Sequence, residues 1–148
     1  MTARIRTIKP SDRSQWDALW QGYLTFYEHE LTTVQTDLTW QRLIDADYGM
    51  HCFVLELNGE LVGLAHFSFT HSSWSKNRDL YLEDLFVSPT VRGQGLGKAL
   101  IMALDDVARE EGSRRIWWET QSGNSVARKL YDSVAELSDF VKYVRVVN

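Results

Sequence analysis

The feature that most restricts the fold of this chain is a glycine-rich turn between a predicted strand and a predicted helix. The turn reads VRGQGLGKAL over residues 91–100 and contains three glycines in five positions. The apolar run LYLEDLFV precedes it, and apolar residues at helical spacing follow it up to Gly112. A further predicted strand, RRIWWET, comes next. Strand, turn, helix and strand in this order predict a right-handed parallel crossover that is open at the helix start.

The start of that helix is a predicted anion site. The first N–H groups of a helix have no partner within the helix and carry partial positive charge, and glycines let an anion approach them closely. Two nucleotide-binding motifs fit the turn poorly. A Walker A loop needs glycine at Arg92 and serine or threonine at Ala99, and a dinucleotide fingerprint needs glycine at Lys98. A glycine turn with a purely structural role is the simplest alternative.

The remaining patterns predict a mixed α/β fold. Predicted strands are RIRTI, CFVLEL, ELVGLAHFSF and the last apolar stretch, FVKYVRVV; predicted helices cover the aromatic stretch from Trp16 to Tyr27, a short segment from Trp40 to Asp45, and NSVARKLYDSV. Asn58 and Gly59 join two of the strands and favour the positive φ values of a type I′ hairpin turn. No repeat or low-complexity tract divides the chain, so we expect one domain over residues 1–148.

Composition excludes several classes of protein. The chain has 148 residues, a formal net charge of −4 and a pI near 5.5, which argues against a general nucleic-acid-binding surface and favours a cationic partner. The single cysteine, Cys52, allows no internal disulfide. The sequence has neither the pattern of a signal peptide nor a run of about 18 apolar residues, so we expect a cytoplasmic protein without membrane contact.

One motif in the turn resembles that of a known family. Arg92, Gly95 and Gly97 form Arg-x-x-Gly-x-Gly, which resembles the pyrophosphate-binding signature of the GNAT superfamily of acetyl-CoA-dependent N-acetyltransferases. The resemblance covers nearly the whole chain. The stretches FYEHEL, HSSW, YLEDLFV and FVKY resemble the branch with polyamine, thialysine and histone acetyltransferases. The resemblance to the GNAT superfamily implies a central mixed sheet of about six or seven strands, flanked by about four helices, whose strands splay apart around acetyl-CoA.

The resemblance also implies a set of residues that bind acetyl-CoA. The backbone of the turn would face the pyrophosphate, the edge of the preceding strand would pair with the peptide-like pantetheine arm, and an asparagine would contact the cofactor. These residues are Leu85, Phe86, Val87, Arg92, Gly93, Gln94, Gly95, Leu96, Gly97, Lys98 and Asn124. No metal is expected, because the four histidines show neither HExxH spacing nor a cysteine-rich cluster.

Two side chains occupy the family's catalytic positions. An alkylamine is almost wholly protonated at neutral pH, with about one molecule in two thousand neutral, so its attack on a thioester needs a base. Glu83 resembles the family's base, acting through water, and Tyr131 resembles the general acid for the departing thiolate. The alternatives are an ordinary charged strand residue for Glu83 and a core tyrosine for Tyr131. Strand alternation predicts that Asp84 faces away from Glu83.

The acceptor site is predicted from the acidic end of the first helix and from an exposed loop. Tyr27, Glu28 and Trp74 are the candidates for binding a small polyamine or a basic amino acid derivative. A protein lysine or N-terminal acetyltransferase, or a non-catalytic acyl-CoA-binding sensor, is the alternative. A homodimer is expected. Many GNAT sequences have glycine where Asp139 precedes Phe140, so the C-terminal hairpin is expected to be altered.

Overall fold

The computed structural model describes residues 2–148 as a five-stranded sheet with helices on both faces. The strands are β1 (Ala3–Thr7), β2 (Met50–Leu57), β3 (Glu60–Thr70), β4 (Asp79–Val87) and β5 (Ile116–Trp117), and the helices are α1 (Arg13–Phe26), α2 (Thr33–Ile44), α3 (Leu96–Glu111) and α4 (Ser125–Val134). The strands lie side by side in chain order, antiparallel except for the parallel pair β4 and β5. The predicted mixed α/β fold is confirmed, with five strands instead of six or seven.

Apolar side chains cover both faces of the sheet. Helices α1 and α2 bury Trp16, Trp20 and Trp40 against one face, and α3 buries its own apolar stripe against the other. The neighbouring strand residues Val54 and Leu55 point to opposite faces, and both are fully buried. Each such buried aliphatic side chain stabilises the fold by roughly 1.5–3 kcal/mol. The centre of the sheet is therefore a rigid support for the residues at its β4–β5 edge.

Two local predictions from the sequence can be compared directly with the backbone. Asn58 and Gly59 both have positive φ values, +53° and +85°, as the predicted hairpin turn requires. Helix α2 is longer than predicted and starts at Thr33. The Thr32 hydroxyl caps it by accepting a hydrogen bond from the Gln35 amide at 3.1 Å.

None of the helices within residues 2–148 has the length and apolar character needed to cross a membrane.

The pairing between β4 and β5 is short. Leu80 pairs with Ile116 and Tyr81 pairs with Trp117, and the two strands then separate. Strand β4 continues for six more residues, to Val87, and remains paired with β3 on its other side. The edge of β4 that faces away from β3 is therefore unpaired over residues 82–87. Only two residues of the predicted RRIWWET strand form regular structure.

The last predicted strand, FVKYVRVV, is wrong. Residues 135–148 contain no helix or strand, and the side chains of Phe140, Tyr143 and Val147 are 77%, 92% and 87% exposed. A strand requires a backbone partner. Within residues 2–148 no backbone hydrogen bond joins this segment to β5, although Lys142 Nζ lies 3.2 Å from Glu119 Oε2. The segment has the apolar pattern of a strand, but it is not a strand because its backbone does not pair with β5.

Candidate active site

A β-bulge in β4 turns two consecutive carboxylates to the same face of the sheet. In the β3–β4 register His66 pairs with Asp84 and Phe67 pairs with Leu82, so Glu83 is the additional residue. Leu82 and Leu85, three positions apart, both pack in the core on the α3 side. The two acidic residues between them consequently face the α1 side. The prediction that Asp84 faces away from Glu83 is wrong, because simple alternation does not hold across a bulge.

The Asp84 carboxylate is held by side chains from α1 and β3. His66 Nδ1 lies 3.0 Å from Asp84 Oδ2, and Trp16 Nε1 donates to His66 Nε2 at 3.0 Å. Tyr23 on α1 lies near the same carboxylate, since burial first and the charge of Asp84 second raise the pKa of its hydroxyl. The contact with His66 fixes the position of the Asp84 carboxylate.

Glu83 lies beside this anchored carboxylate and is more accessible to solvent. Partial burial raises the pKa of Glu83, and the negative charge of Asp84 raises it further. A raised carboxyl pKa makes the carboxylate a stronger base than an ordinary surface glutamate. Glu83 is thus chemically suited to accept a proton at this position.

Tyr131 approaches the same opening from α4. Its ring packs edge-on against Trp118, with centroids 5.4 Å apart. Burial raises the pKa of Tyr131 to about 12, and the nearby Tyr27 contributes to this shift. The hydroxyl therefore keeps its proton at neutral pH and can act as a proton donor. Tyr27, at the C-terminal end of α1, packs against Tyr23 with the rings tilted and their centroids 4.8 Å apart. Tyrosines from α1 and α4 therefore lie close together.

The glycine-rich turn forms the open start of α3. Gly93 and Gly95 have φ values of +83° and +75°, and a Cβ atom at either position would have no other atom within 4 Å. The Ala99 amide makes the helix's first hydrogen bond, to the Gly95 carbonyl at 3.0 Å. The amides of residues 96–98 therefore lack partners within the helix. Free N–H groups, positive φ values and open space are what an anion cradle requires.

The residues around this turn connect it to the unpaired edge of β4. Arg92 Nε donates to the Val87 carbonyl at 3.0 Å, and its guanidinium lies 5.6 Å from the ring centroids of Phe26 and Phe86. A Cβ atom at Gly97 would lie 3.2 Å from the Leu130 side chain, so this glycine allows α3 and α4 to pack closely. The edge of Leu85 to Val87 thus leads directly from the carboxylates to the turn.

Asn124 has a structural role as well as its predicted cofactor contact. Its Oδ1 accepts a hydrogen bond from the Ala127 amide at 3.3 Å and caps α4, and its Nδ2 donates to Thr120 Oγ1 at 3.3 Å. Asn124 therefore fixes the helix that carries Tyr131.

The predicted acceptor residues lie in two different places. Tyr27 belongs to the tyrosine cluster, and the exposed Glu28 follows it in the left-handed conformation, with φ at +53°. Trp74 is 74% exposed in the β3–β4 loop, where its ring faces the Arg114 guanidinium at 6.0 Å. Arg114 also binds the buried Asp79, which fixes the base of that loop. Tyr27 thus packs against Tyr23, which lies near Asp84, whereas Trp74 is on a separate loop.

Three residues of this site were not predicted from the sequence. Asp84 was expected on the opposite face, Tyr23 lies within the aromatic stretch of the first helix, and His66 is one of the four histidines without metal-site spacing. His66 gave one usable signal, because a polar residue within an otherwise apolar central strand needs a buried partner. Its partner is directly opposite on β4.

Comparison with known proteins identifies the family. The chain belongs to the acetyltransferase (GNAT) family, whose model matches residues 16–135. A D-amino-acid N-acetyltransferase from Saccharomyces cerevisiae is 31% identical over 144 residues, which cover 95% of this chain and 89% of the relative. A thialysine N-epsilon-acetyltransferase from Caenorhabditis elegans is 28% identical over 130 residues, 88% of this chain and 80% of the relative. The protein is therefore an N-acetyltransferase.

Solved structures agree with this assignment at the level of the fold. The enzyme AAC(6')-Iy, in complex with the bisubstrate analogue CoA-S-monomethyl-acetylneamine, superposes with a TM-score of 0.87. The two chains are 20% identical, and the match covers all of both. This similarity establishes that the present chain has the same fold.

Proposed function

We propose that this protein transfers an acetyl group directly from acetyl-CoA to the primary amine of a small polyamine or a basic amino acid derivative. One observation carries the proposal. Where β4 loses its neighbour β5, the same strand presents the carboxylates Glu83 and Asp84 at one end of the gap and leads to the glycine turn at the other. An acyl donor lying along this edge would have its anionic part at the helix start and its reactive end beside the carboxylates.

The residues of the turn and the strand edge fit acetyl-CoA. Its pyrophosphate would lie against the backbone from Gly93 to Lys98, with charge added by Arg92 and Lys98. The amides and carbonyls of its pantetheine arm would pair with the unpaired edge of β4, in the manner of an added strand. A structure of the same fold was solved with a CoA bisubstrate analogue, which is consistent with the use of acetyl-CoA.

The proposed reaction is a single displacement. The amine nitrogen attacks the thioester carbonyl, a C–N bond forms, and the C–S bond breaks. Glu83 accepts the proton lost by the amine, through water, and the Tyr131 hydroxyl supplies a proton to the departing thiolate. The raised pKa of Glu83 and the protonated state of Tyr131 suit these two roles.

The choice of acceptor follows from charge and from the relatives. Glu83 and Asp84 form an anionic pair at the gap, and Glu28 is exposed at the end of α1, so a cation would be attracted to this side. Tyr27 would contact the acceptor's carbon chain, and Trp74 would be reached only by a long acceptor. Relatives named for thialysine and D-amino acids are consistent with a small amine.

The activity can be tested by following free-thiol release from acetyl-CoA with a panel of acceptors. The panel contains a monoamine, a diamine, spermidine, lysine, thialysine, a D-amino acid, a lysine-containing peptide and a peptide with a free N-terminus. We expect the highest kcat/KM with a polyamine or a basic amino acid derivative. Preference for a peptide would overturn the choice of acceptor. Tight acetyl-CoA binding without turnover of any amine would instead indicate a sensor.

We also propose that two copies of the chain associate through residues 137–147, here called the C-terminal segment. Its large apolar side chains, Leu137, Phe140, Val141, Tyr143, Val144, Val146 and Val147, are all at least 73% exposed. Exposed apolar surface of this extent is typical of an interaction site. A second copy offers a further open sheet edge at its own β5. The proposed dimer therefore places the C-terminal segment of each copy against the other copy.

Light scattering on the purified chain tests this association. We expect twice the mass of one chain for the wild type and for Val126→Lys, because Val126 is an isolated exposed residue on α4, 83% exposed. The variant Val144→Lys should shift the mass toward the monomer. A monomeric wild type, or a dimer equally stable in both variants, would contradict the proposed interface.

A further inference from the structure

A buried histidine connects the acceptor site to the core of the protein. His66 is 2% exposed and lies between Trp16, which is fully buried on α1, and Asp84 on β4. Its ring also packs against Trp20, with centroids 5.1 Å apart. Within residues 2–148, Asp84 is the only titratable side chain that forms a hydrogen bond with His66. The neighbours that face this ring are the two tryptophans, Asp84 itself, and Cys52, its cross-strand partner on β2.

The two hydrogen bonds determine the form of the imidazole. The indole Nε1–H of Trp16 can only donate, so His66 Nε2 must accept and carries no proton. The remaining proton is then on Nδ1 and points at Asp84 Oδ2. In a catalytic triad of aspartate, histidine and a hydroxyl nucleophile, the second ring nitrogen of the histidine is free to accept the proton of the nucleophile. In His66 that nitrogen, Nε2, already accepts the hydrogen bond from Trp16. His66 consequently cannot pass a proton onward and serves only as a fixed donor.

We propose that His66 is a positioning residue, locked by Trp16 in its neutral Nδ1–H form, that fixes the Asp84 carboxylate as the anion that orients the acceptor's ammonium group beside Glu83. One donor, His66 Nδ1, uses only part of the carboxylate's hydrogen-bonding capacity and leaves lone pairs for an acceptor N–H. Asp84 thus holds the substrate, while the more accessible Glu83 remains free to take the proton.

The first test compares His66→Leu with His66→Asn by steady-state kinetics on the best acceptor. Leucine removes the donor, whereas an asparagine amide can place an N–H near the original Nδ1. We expect His66→Leu to raise the acceptor KM at least tenfold while the Kd of acetyl-CoA changes less than twofold, and His66→Asn to recover most of the loss. His51→Leu is the matched control, because His51 stacks on Phe67, on the other face of the sheet. An unchanged acceptor KM in folded His66→Leu, or equal losses in both His66 variants, would overturn the proposal.

A second test needs no substrate and stands even if the His66 variants fail to fold. Long-range proton–nitrogen NMR of the wild-type protein should show that the His66 imidazole carries a proton on Nδ1 and none on Nε2. Trp16→Phe keeps an aromatic ring but removes the donor to Nε2, so the Nε2 chemical shift should change to that of a nitrogen without a hydrogen-bond donor. A proton on Nε2 in the wild type, or an unchanged Nε2 shift in folded Trp16→Phe, would refute the proposed role of Trp16. The kinetic test rests on the proposed acyl transfer, whereas the NMR test does not, so failures of the two can be distinguished.

Discussion

The proposed pyrophosphate cradle predicts opposite binding results for two glycines with nearly the same backbone. Gly95, at the start of α3, has a φ of +75°, and Gly59, in the β2–β3 turn, has a φ of +85°. A Cβ atom at either position would have no other atom within 4 Å. Alanine at each site therefore introduces the same left-handed strain without a packing clash, and only Gly95 lies at the proposed anion site.

The magnitudes follow from these angles. Left-handed strain costs an alanine roughly 1–2 kcal/mol, and the reduced freedom of the unfolded chain offsets about 0.4–1 kcal/mol of it. Each variant should thus lose about 1 kcal/mol of unfolding free energy, a fall in Tm of about 2–4 °C for a chain of this size. The methyl group of Gly95→Ala would also enter the space proposed for the pyrophosphate. We expect that variant to bind acetyl-CoA at least tenfold more weakly, about 1.4 kcal/mol.

Titration calorimetry with two ligands separates strain from obstruction. Acetyl-CoA should bind Gly59→Ala with wild-type affinity and Gly95→Ala weakly. Acetyl-pantetheine, which lacks the pyrophosphate, should bind both variants alike. Wild-type acetyl-CoA affinity in both folded variants would show that the phosphate lies elsewhere. The same loss of affinity in both variants would show that backbone strain alone is responsible.

Three further predictions concern the proposed chemistry. Tyr131→Phe removes one hydroxyl and should lower kcat by roughly 10² or more with little change in acetyl-CoA affinity; wild-type turnover would make Tyr131 a packing residue. Because burial and Asp84 raise the pKa of Glu83, kcat/KM should fall as the pH drops through a value above the ordinary glutamate range. Asp84→Asn should move that fall to lower pH, Glu83→Gln should abolish it, and a fall that neither variant moves would exclude Glu83 as the base. Glu28→Gln should raise the KM of a polyamine more at low salt than at high salt, because exposed charges are screened; a salt-independent KM would remove Glu28 from the acceptor site.

Much of the fold could be predicted because its signals are local. The Asn58–Gly59 turn and the glycine that ends α3, Gly112 with a φ of +80°, depend on conformations that few other residues adopt. The order of strands and helices follows from the periodicity of apolar residues. Each of these features can be recognised within a window of a few residues.

The residues that complete the site could not be predicted in this way. The bulge at Glu83 depends on how β4 aligns with β3, and nothing in YLEDLFV alone distinguishes it from regular alternation. Tyr23 has the helical spacing of a core residue, and its contact with Asp84 exists only after α1 has packed on the sheet. The C-terminal segment has the apolar pattern of a strand. It forms no strand because, within residues 2–148, no backbone hydrogen bond joins it to another strand.

The β-bulge has a thermodynamic consequence for substrate binding. Because the bulge turns both carboxylates to one face, the charge of Asp84 adds to burial in raising the pKa of Glu83. When a positively charged amine enters, it favours the ionised form of Glu83, and the enzyme releases part of a proton to the solvent as it binds. Acceptor affinity would then rise with pH even before any chemistry occurs. The one additional residue in β4 thereby couples the binding of the acceptor to the release of a proton.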